Sequence, residues 1–279
     1  MGSDPAGITS AQEGVDRRSC AARLAFGRVR IEYVGHATVV VDLDGVRLMT
    51  DPLLRSRVAH LRRSAPLAAR SLRGLDAVLV SHGHYDHLDL PSLERLGRSL
   101  PVVVPRGLGG LLRKRRFEAV IEVAAGETVR IGDLEIRPVP AAHDGARGPF
   151  GAAAEALGYV IAGSKTVYFA GDTDLFEGMA ELGPVDVALL PIWGWGAGLG
   201  PGHLDPRTAA AAAASIRPGI VVPIHWGTYS PIHLGLRRLP AFLELPAAEF
   251  VAEAHKAAPD VDVRVLRPGE TLELEDDRR

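Results

Sequence analysis

From Arg28 onward the chain alternates short apolar runs with turn residues, the texture of strands rather than of long helices. Arg28–Val34, Thr38–Leu43 and Val46–Thr50 read as an antiparallel meander, with Asp44-Gly45 as a tight hairpin turn between the last two. Val78–Val80, Val102–Val104, Val120–Val123 and Leu134–Val139 continue the strand pattern, and helices are expected near Pro91–Leu100 and Leu108–Arg116. A second half repeats the scheme, with strands near Leu157–Ala162, Thr166–Ala170, Val185–Pro191 and Ile220–Ile224. Asp205-Pro206 has the chemistry of an N-cap followed by proline at the first helical position, which predicts a helix over Pro206–Ile216. Another helix is expected over Pro240–His255, and Val261–Leu266 with Thr271–Leu274 close the chain as strands. No linker divides the halves. The pattern therefore predicts one domain over residues 28–279, preceded by a flexible tail over residues 1–27.

Composition narrows the partners. Of 279 residues, 47% are hydrophobic and 24% charged, the proportions of an ordinary globular chain with a sizeable core. Lys+Arg 32 against Asp+Glu 34 leaves a formal charge of -2, so no basic surface is available to neutralise phosphates and no nucleic-acid partner is expected. The single Cys20 excludes an internal disulfide and a cysteine-rich zinc site. With no apolar signal segment at the start and no run of about 18 apolar residues, a cytoplasmic protein without a transmembrane segment is expected.

The chemistry is concentrated where the strand Ala77–Ser81 runs into His82-Gly83-His84-Tyr85-Asp86-His87, four ligand-capable side chains within six residues. On a loop leaving a strand, His82 and His84 can converge on one ion while Asp86 and His87 turn towards a second. Imidazole with carboxylate suits zinc, manganese or iron, and the lack of thiolate argues against a closed structural site. Elsewhere the residues alone leave alternatives open. His143 and His225 can be satisfied core histidines, and Asp172 can be a turn or cap residue in Gly171-Asp172-Thr173-Asp174.

Seven segments stand in a telling order: Gly35-His36-Ala37-Thr38, Thr50-Asp51-Pro52, His82 through Asp89, Val139-Pro140-Ala141-Ala142-His143, Gly171-Asp172-Thr173, His203-Leu204-Asp205-Pro206 and Ile224-His225-Trp226-Gly227. With them the chain resembles the metallo-β-lactamase superfamily over nearly all of residues 28–275. The resemblance is sharpest to the branch containing ascorbate-6-phosphate lactonase and the phospholipase D that hydrolyses N-acylphosphatidylethanolamine. It implies a four-layer αββα sandwich of the α/β (α+β) class. It assigns His82, His84 and His143 to one metal and Asp86, His87 and His225 to the other, with Asp172 bridging. Two divalent ions are implied, zinc first and manganese or iron(II) as alternatives, in a metal-dependent hydrolase whose dinuclear centre activates hydroxide. Asp172, Asp86 and His203 become the candidate catalytic residues. His203 can hydrogen-bond substrate or shuttle a proton, or be a loop histidine without a role. His36 and Asp51 can orient the liganding imidazoles from behind, or serve local backbone bonds. Ser81 lacks the glycine-flanked elbow of serine hydrolases.

Substrate class is less sharply written. Arg55, Arg57, Arg62, Arg63, Arg70 and Arg73 follow one another without an acidic residue on what reads as a long loop, able to recruit a phosphate or carboxylate or simply to be solvated. Arg147, four residues after His143, matches a cation of the phospholipase-like relatives and is the candidate substrate contact. Trp193 and Trp195 sit in a glycine-rich stretch that can wall an apolar pocket or pack over the sheet edge. The expected substrate is a phosphodiester or other phosphate-bearing small molecule, anionic or lipid-like, with lactone hydrolysis as the alternative. An RNA-processing nuclease and a non-catalytic metal-binding protein are the readings from other classes. The net charge and the lack of a long insertion between His87 and His225 speak against the first, and the complete ligand set against the second. Oligomeric state leaves no mark in the sequence.

Overall fold

Each half of the chain folds into a seven-stranded sheet with the same grammar. In the computed structural model, which describes residues 28–274 apart from Ala59, Ala68 and residues 148–150, 194–199 and 234–238, the first sheet begins with Thr271–Leu274 beside Val29–Gly35. Thr38–Leu43, Val46–Thr50, Ala77–Leu79, Val102–Pro105 and Val120–Val123 follow in that order. The first three pairings are antiparallel and the last three parallel. The second sheet runs Asp262–Val263, Ile220–Ile224, Val187–Pro191, Thr166–Phe169, Glu155–Ala162, Leu134–Asp144, Val129–Ile131, and in this order its first three pairings are parallel and its last three antiparallel. The expected tail over residues 1–27, Cys20 and Trp195 lie outside the described residues.

Local chemistry explains the boundaries. Asp44 and Gly45 take φ of 51° and 81°, the pair of positive values that a two-residue hairpin turn needs, and Gly45 adopts its value without steric cost. The helix Pro206–Ile216 is capped reciprocally: the Asp205 carboxylate accepts from Thr208 N at 2.8 Å and the Thr208 hydroxyl accepts from Asp205 N at 2.8 Å. The helix expected to reach Leu100 ends at Leu96, where Gly97 takes a φ of 118°. Of the strand expected over Val261–Leu266 only Asp262–Val263 pairs. The helix Leu239–Ala257 runs through Pro246.

The core lies between the sheets. Ile31, Val39, Val41, Tyr159, Ile161 and Phe169 belong to it, all fully buried, and burial of such side chains contributes about 1.5–3 kcal/mol each. The central parallel strands Ala77–Leu79, Val102–Pro105 and Val187–Pro191 are buried on both faces. Ala77, Leu79 and Val103 point into this core, whereas Val78, Val80, Val102 and Val104 pack with Leu93 and Leu112 of the helices Leu90–Leu96 and Gly109–Lys114. On the far side Ala209 and Ala213 of Pro206–Ile216, and Phe250 of Leu239–Ala257, cover the second sheet. The result is the αββα sandwich. No helix among the described residues is long and apolar enough to cross a membrane.

Two expectations are corrected. The arginine-rich segment is not one loop: Arg57–Val58 pairs with Leu61–Arg63, which pairs in turn with Tyr229–Pro231 in a third, small sheet, and Ala69–Leu72 forms a turn of 3₁₀ helix. The strand beginning at Leu134 runs to Asp144 instead of ending at Val139, so His143 lies within it, beside a register shift between Pro140 and Asp144. Such a bulge re-aims the side chains of the strand that carries it.

Candidate metal centre

The parallel strands of both sheets deliver their C-terminal ends to one rim, where ligands gather in open α/β sheets. Val46–Thr50 ends at Asp51, Ala77–Leu79 feeds the His82–Asp89 loop, Thr166–Phe169 leads to Asp172 and Ile220–Ile224 ends at His225. Asp51, His36 and His225 take positive φ of 32°, 59° and 64°. Such conformations cost about 1–3 kcal/mol and persist where the surrounding structure over-determines them, commonly at functional sites. Gly83 holds the loop down. Its N–H donates to Gly145 O at 2.9 Å, and a Cβ there would lie 2.8 Å from that oxygen, so no larger residue fits between His82 and His84 without moving a backbone.

Four of the rings are turned by a bond from the other nitrogen, an arrangement that fixes tautomer and aim. His87 Nδ1–H donates to Asp51 Oδ2 at 2.7 Å, His143 Nδ1–H to Gly202 O at 2.7 Å, and His225 Nδ1–H to Trp193 O. The Ser81 hydroxyl donates to Asp51 Oδ2 at 2.5 Å and therefore accepts from His82 Nδ1–H at 2.9 Å. Asp51 thus sets His87 directly and His82 through Ser81.

The free nitrogens converge. His82 Nε2 lies 2.9 Å and His143 Nε2 3.2 Å from His84 Nδ1. His225 Nε2 lies 3.3 Å from His87 Nε2. Asp172 Oδ2 is 3.2 Å from His87 Nε2 and Asp172 Oδ1 3.3 Å from His225 Nε2. Ligand atoms around a tetrahedral ion with bonds of about 2.0–2.1 Å stand about 3.3 Å apart, so the spacing matches a metal's coordination shell. Asp172 Oδ1 is buried without a hydrogen-bond partner, as an oxygen facing a cation would be. His82, His84 and His143 form one set able to hold an ion and His36, Asp86, His87 and His225 another. Asp172 joins His143 and His203 in a set whose ligand atoms also lie within 4.8 Å of one another.

Electrostatics separates the rings. Burial, reinforced by the charge on His87, keeps His82 well below the usual imidazole range, and burial takes His143 down to about 4. Burial together with the neighbouring His225 lowers His36 to about 3, leaving it neutral. His87 moves the other way: burial opposes its charge, but Asp172 and Asp86 outweigh it and hold the ring protonated. Burial also opposes ionisation of Asp172 and Asp86. His225 and His87 carry Asp172 well below the carboxylate range, and His87 and His36 do the same for Asp86.

The remaining sequence candidates fall in several places. His36 Nε2 meets Asp86 Oδ2 at 3.0 Å, so it addresses a carboxylate rather than an imidazole, and its carbonyl accepts from His225 N at 2.8 Å. His203 stacks edge-on against His143 at 4.6 Å between centroids, with Nε2 3.9 Å from Asp172 Oδ2 and a side chain 23% exposed. Arg147 is engaged by the protein itself. Its guanidinium lies 4.3 Å over the Tyr85 ring, and Nη1 donates to Gly83 O at 3.0 Å and Leu88 O at 2.7 Å, clamping both ends of the histidine loop. Trp193 packs on Phe242, and the cavity it lines among the described residues is about 10 Å³, too small for an acyl chain.

A family model for the beta-lactamase superfamily domain matches residues 46–226. The chain belongs to the beta-lactamase superfamily. It is similar to a metal-dependent hydrolase of Methanopyrus kandleri, 34% identical over 256 residues that cover 88% of this chain and 100% of that protein. It is also similar to the N-acyl-phosphatidylethanolamine-hydrolyzing phospholipase D 1 of Caenorhabditis elegans, 33% identical over 225 residues, 71% of this chain and 63% of that protein. Among solved structures, a metallo hydrolase from Ignicoccus hospitalis superposes with TM-score 0.65 at 27% identity, covering 89% of this chain and 99% of that one. A diiron β-hydroxylase from Streptomyces venezuelae, TM-score 0.66 at 23% identity over 88% of this chain and 54% of that one, shares the fold. This beta-lactamase superfamily member is a metal-dependent hydrolase, with His/Asp clusters able to bind metal.

Two residues of this superfamily member escaped sequence reasoning. The sequence presents Ser81 only as a poor nucleophile, whereas its hydroxyl links Asp51 to His82. Thr173 accepts from Ala142 N at 2.9 Å and so fixes the backbone beside His143. The adjacency of Ser81 to His82 and of Thr173 to Asp172 was the available signal.

Proposed function

We propose that residues 28–279 form a hydrolase domain that holds two divalent ions and cleaves phosphodiesters or other phosphate-bearing small substrates. The observation that carries the reading is the position of Asp172, between one set of three imidazoles and a second set holding Asp86, His87 and His225. The residues that would hold the ions are His82, His84 and His143 on one side and Asp86, His87 and His225 on the other, with Asp172 shared. Imidazole and carboxylate without thiolate suit zinc, with manganese or iron(II) as alternatives. Bound there, two ions supply an activated water at neutral pH and neutralise charge on the leaving oxygen.

The chain supplies the rest. Asp51, Ser81, Gly202 O and Trp193 O hold the imidazoles in one tautomer, so the site is organised before substrate arrives. His203, partly exposed and 3.9 Å from Asp172, is the residue that would give a leaving oxygen its proton. The phospholipase name of the Caenorhabditis elegans relative supports phosphodiester cleavage over lactone opening. The test is metal analysis of reconstituted protein, followed by bis(p-nitrophenyl) phosphate and a glycerophosphodiester against a neutral lactone. Two ions per chain with faster phosphodiester cleavage supports the reading. One ion at saturation refutes the dinuclear part, and lactonase activity alone in fully loaded protein refutes the substrate class.

A further inference from the structure

Away from the metal centre, a second concavity of about 580 Å³ opens between residues 54–67 and the helix Leu90–Leu96. That volume lies in the range of about 300–1,000 Å³ typical of small-molecule sites. Its described lining contains Arg55, Arg57, Arg63 and Arg95 and no carboxylate. Arg55 is neutralised from outside by Asp89, with Nη2 2.8 Å from Oδ1 and Nε 3.0 Å from Oδ2. The other three differ. Arg63 is fixed in the wall by the carbonyls of Val34, Leu53 and Ala65 and lies 5.5 Å over the Tyr229 ring, and no carboxylate among the described residues pairs with it. Arg95 has one long contact, 3.4 Å to Leu54 O, and the exposed Arg57 has no side-chain partner among the described residues.

Three positive charges thus face one cavity in a chain whose formal charge is -2. Like charges brought together cost free energy unless an anion joins them. Guanidinium is the side chain whose planar fork matches phosphate oxygens in pairs. Leu54, Leu67 and Pro91 give the same cavity an apolar floor, suited to a carbon skeleton attached to the anion. We propose that this concavity binds a phosphate ester, the phosphate held by Arg57 and Arg95 in the field of Arg63 and the carbon skeleton lying on Leu54, Leu67 and Pro91. The proposal is independent of the phosphodiester reading, because no member of the two histidine sets lines the cavity. The Arg55–Asp89 pair joins its rim to the histidine loop, since Asp89 follows Asp86 by three residues. The phosphate ester can be a free small molecule or the headgroup of an anionic phospholipid.

The experiment has two arms, both with the metal-loaded full chain. Calorimetry with inorganic phosphate and glycerol 3-phosphate reads the free ligand. Cosedimentation with phosphatidylcholine vesicles, with and without phosphatidylglycerol, reads the headgroup. Saturable binding is expected in one arm, which identifies the source, and Arg57→Gln/Arg95→Gln should weaken it about tenfold or more. Arg130→Gln, at an exposed arginine elsewhere, should leave it unchanged. Phosphate held by the metal centre would survive the double substitution. Arg57→Glu, which removes no hydrogen bond among the described residues, reverses the charge and should abolish binding without lowering the melting temperature. Binding equal in wild type and both cavity variants overturns the proposal, as does the absence of saturable binding in both arms.

Discussion

The set of His82, His84 and His143 is built from imidazoles alone, and two of its three rings are only half-buried, whereas Asp86, His87 and His225 include a carboxylate and keep both rings buried. Behind the second set stand Asp51, which accepts from His87, and His36, which meets Asp86. Burial is therefore not what decides protonation here. His82 and His87 are both fully buried, yet the first is pushed to neutrality and the second is held charged. Desolvation penalises the charged form of both rings, and only His87 has Asp172 and Asp86 close enough to outweigh it. One fold thus offers a neutral pocket and an anionic one, joined by Asp172.

Removing the joint should produce the largest effect. Asp172→Ala takes away the carboxylate that reaches His87 and His225 and that shares a set with His143. On the dinuclear proposal, metal content should fall from two ions per chain to one or none, with kcat/KM down by more than about a hundredfold. Plasma mass spectrometry alongside turnover checks both. A variant that keeps two ions and near-normal turnover would show that the sets do not depend on Asp172.

The difference in protonation gives a second way to separate the sets. His87 is raised above its ordinary value, so metal-free protein carries that proton at neutral pH, and an ion bound there must displace it. His82 is already neutral, and His143, at about 4, remains so until the solution is much more acidic. Lowering the pH from about 7.5 to about 5.5 should therefore weaken one of two binding events by up to about a hundredfold, one tenfold step per proton and pH unit, and leave the other nearly unchanged. Titration of chelator-stripped protein, with an indicator dye reading proton release, resolves the two. Equal pH dependence would erase the distinction.

Two members of each set were legible before folding, and the third, His143 or His225, was not. His82, His84, Asp86 and His87 are contiguous on a loop leaving a strand, so their convergence is local and readable. The hairpin at Asp44-Gly45 and the capped helix Pro206–Ile216 were legible for the same reason, since the residues that shape them adjoin. What failed was non-local. The strands Arg57–Val58 and Leu61–Arg63 are two and three residues long, and the second is paired by Tyr229–Pro231 from far along the chain, so they carry no readable period. The bonds of Arg147 to Gly83 O and Leu88 O are likewise non-local, since they follow from the approach of one sheet to the other.

Asp51 offers a finer test, because it serves both sets by unequal routes. Asp51→Asn keeps the volume but removes charge behind His87 and disturbs the bond from Ser81, and it should cost about 10–100-fold in metal affinity. Ser81→Ala breaks only the branch to His82 and should cost about tenfold, confined to the His82 set. Metal titration of the two variants side by side is the check. Equal losses would mean that Ser81 does not relay Asp51 to His82.

The smallest effect on chemistry is expected at Arg147, where it also distinguishes a clamp from a substrate contact. Its two bonds to Gly83 O and Leu88 O hold the ends of the segment that supplies ligands to both sets. Charge-assisted hydrogen bonds of this kind are worth about 1.5–3 kcal/mol, and the half-buried guanidinium discounts that figure for solvent screening. Arg147→Ala should lower stability by about 1–2 kcal/mol and reduce kcat/KM by a similar factor on anionic and neutral substrates, since a loosened loop does not sense substrate charge. Thermal unfolding together with kinetics on a phosphodiester and a neutral ester reads both quantities. A loss confined to the phosphodiester, with the melting temperature unchanged, would show that Arg147 leaves its carbonyl partners to meet the substrate.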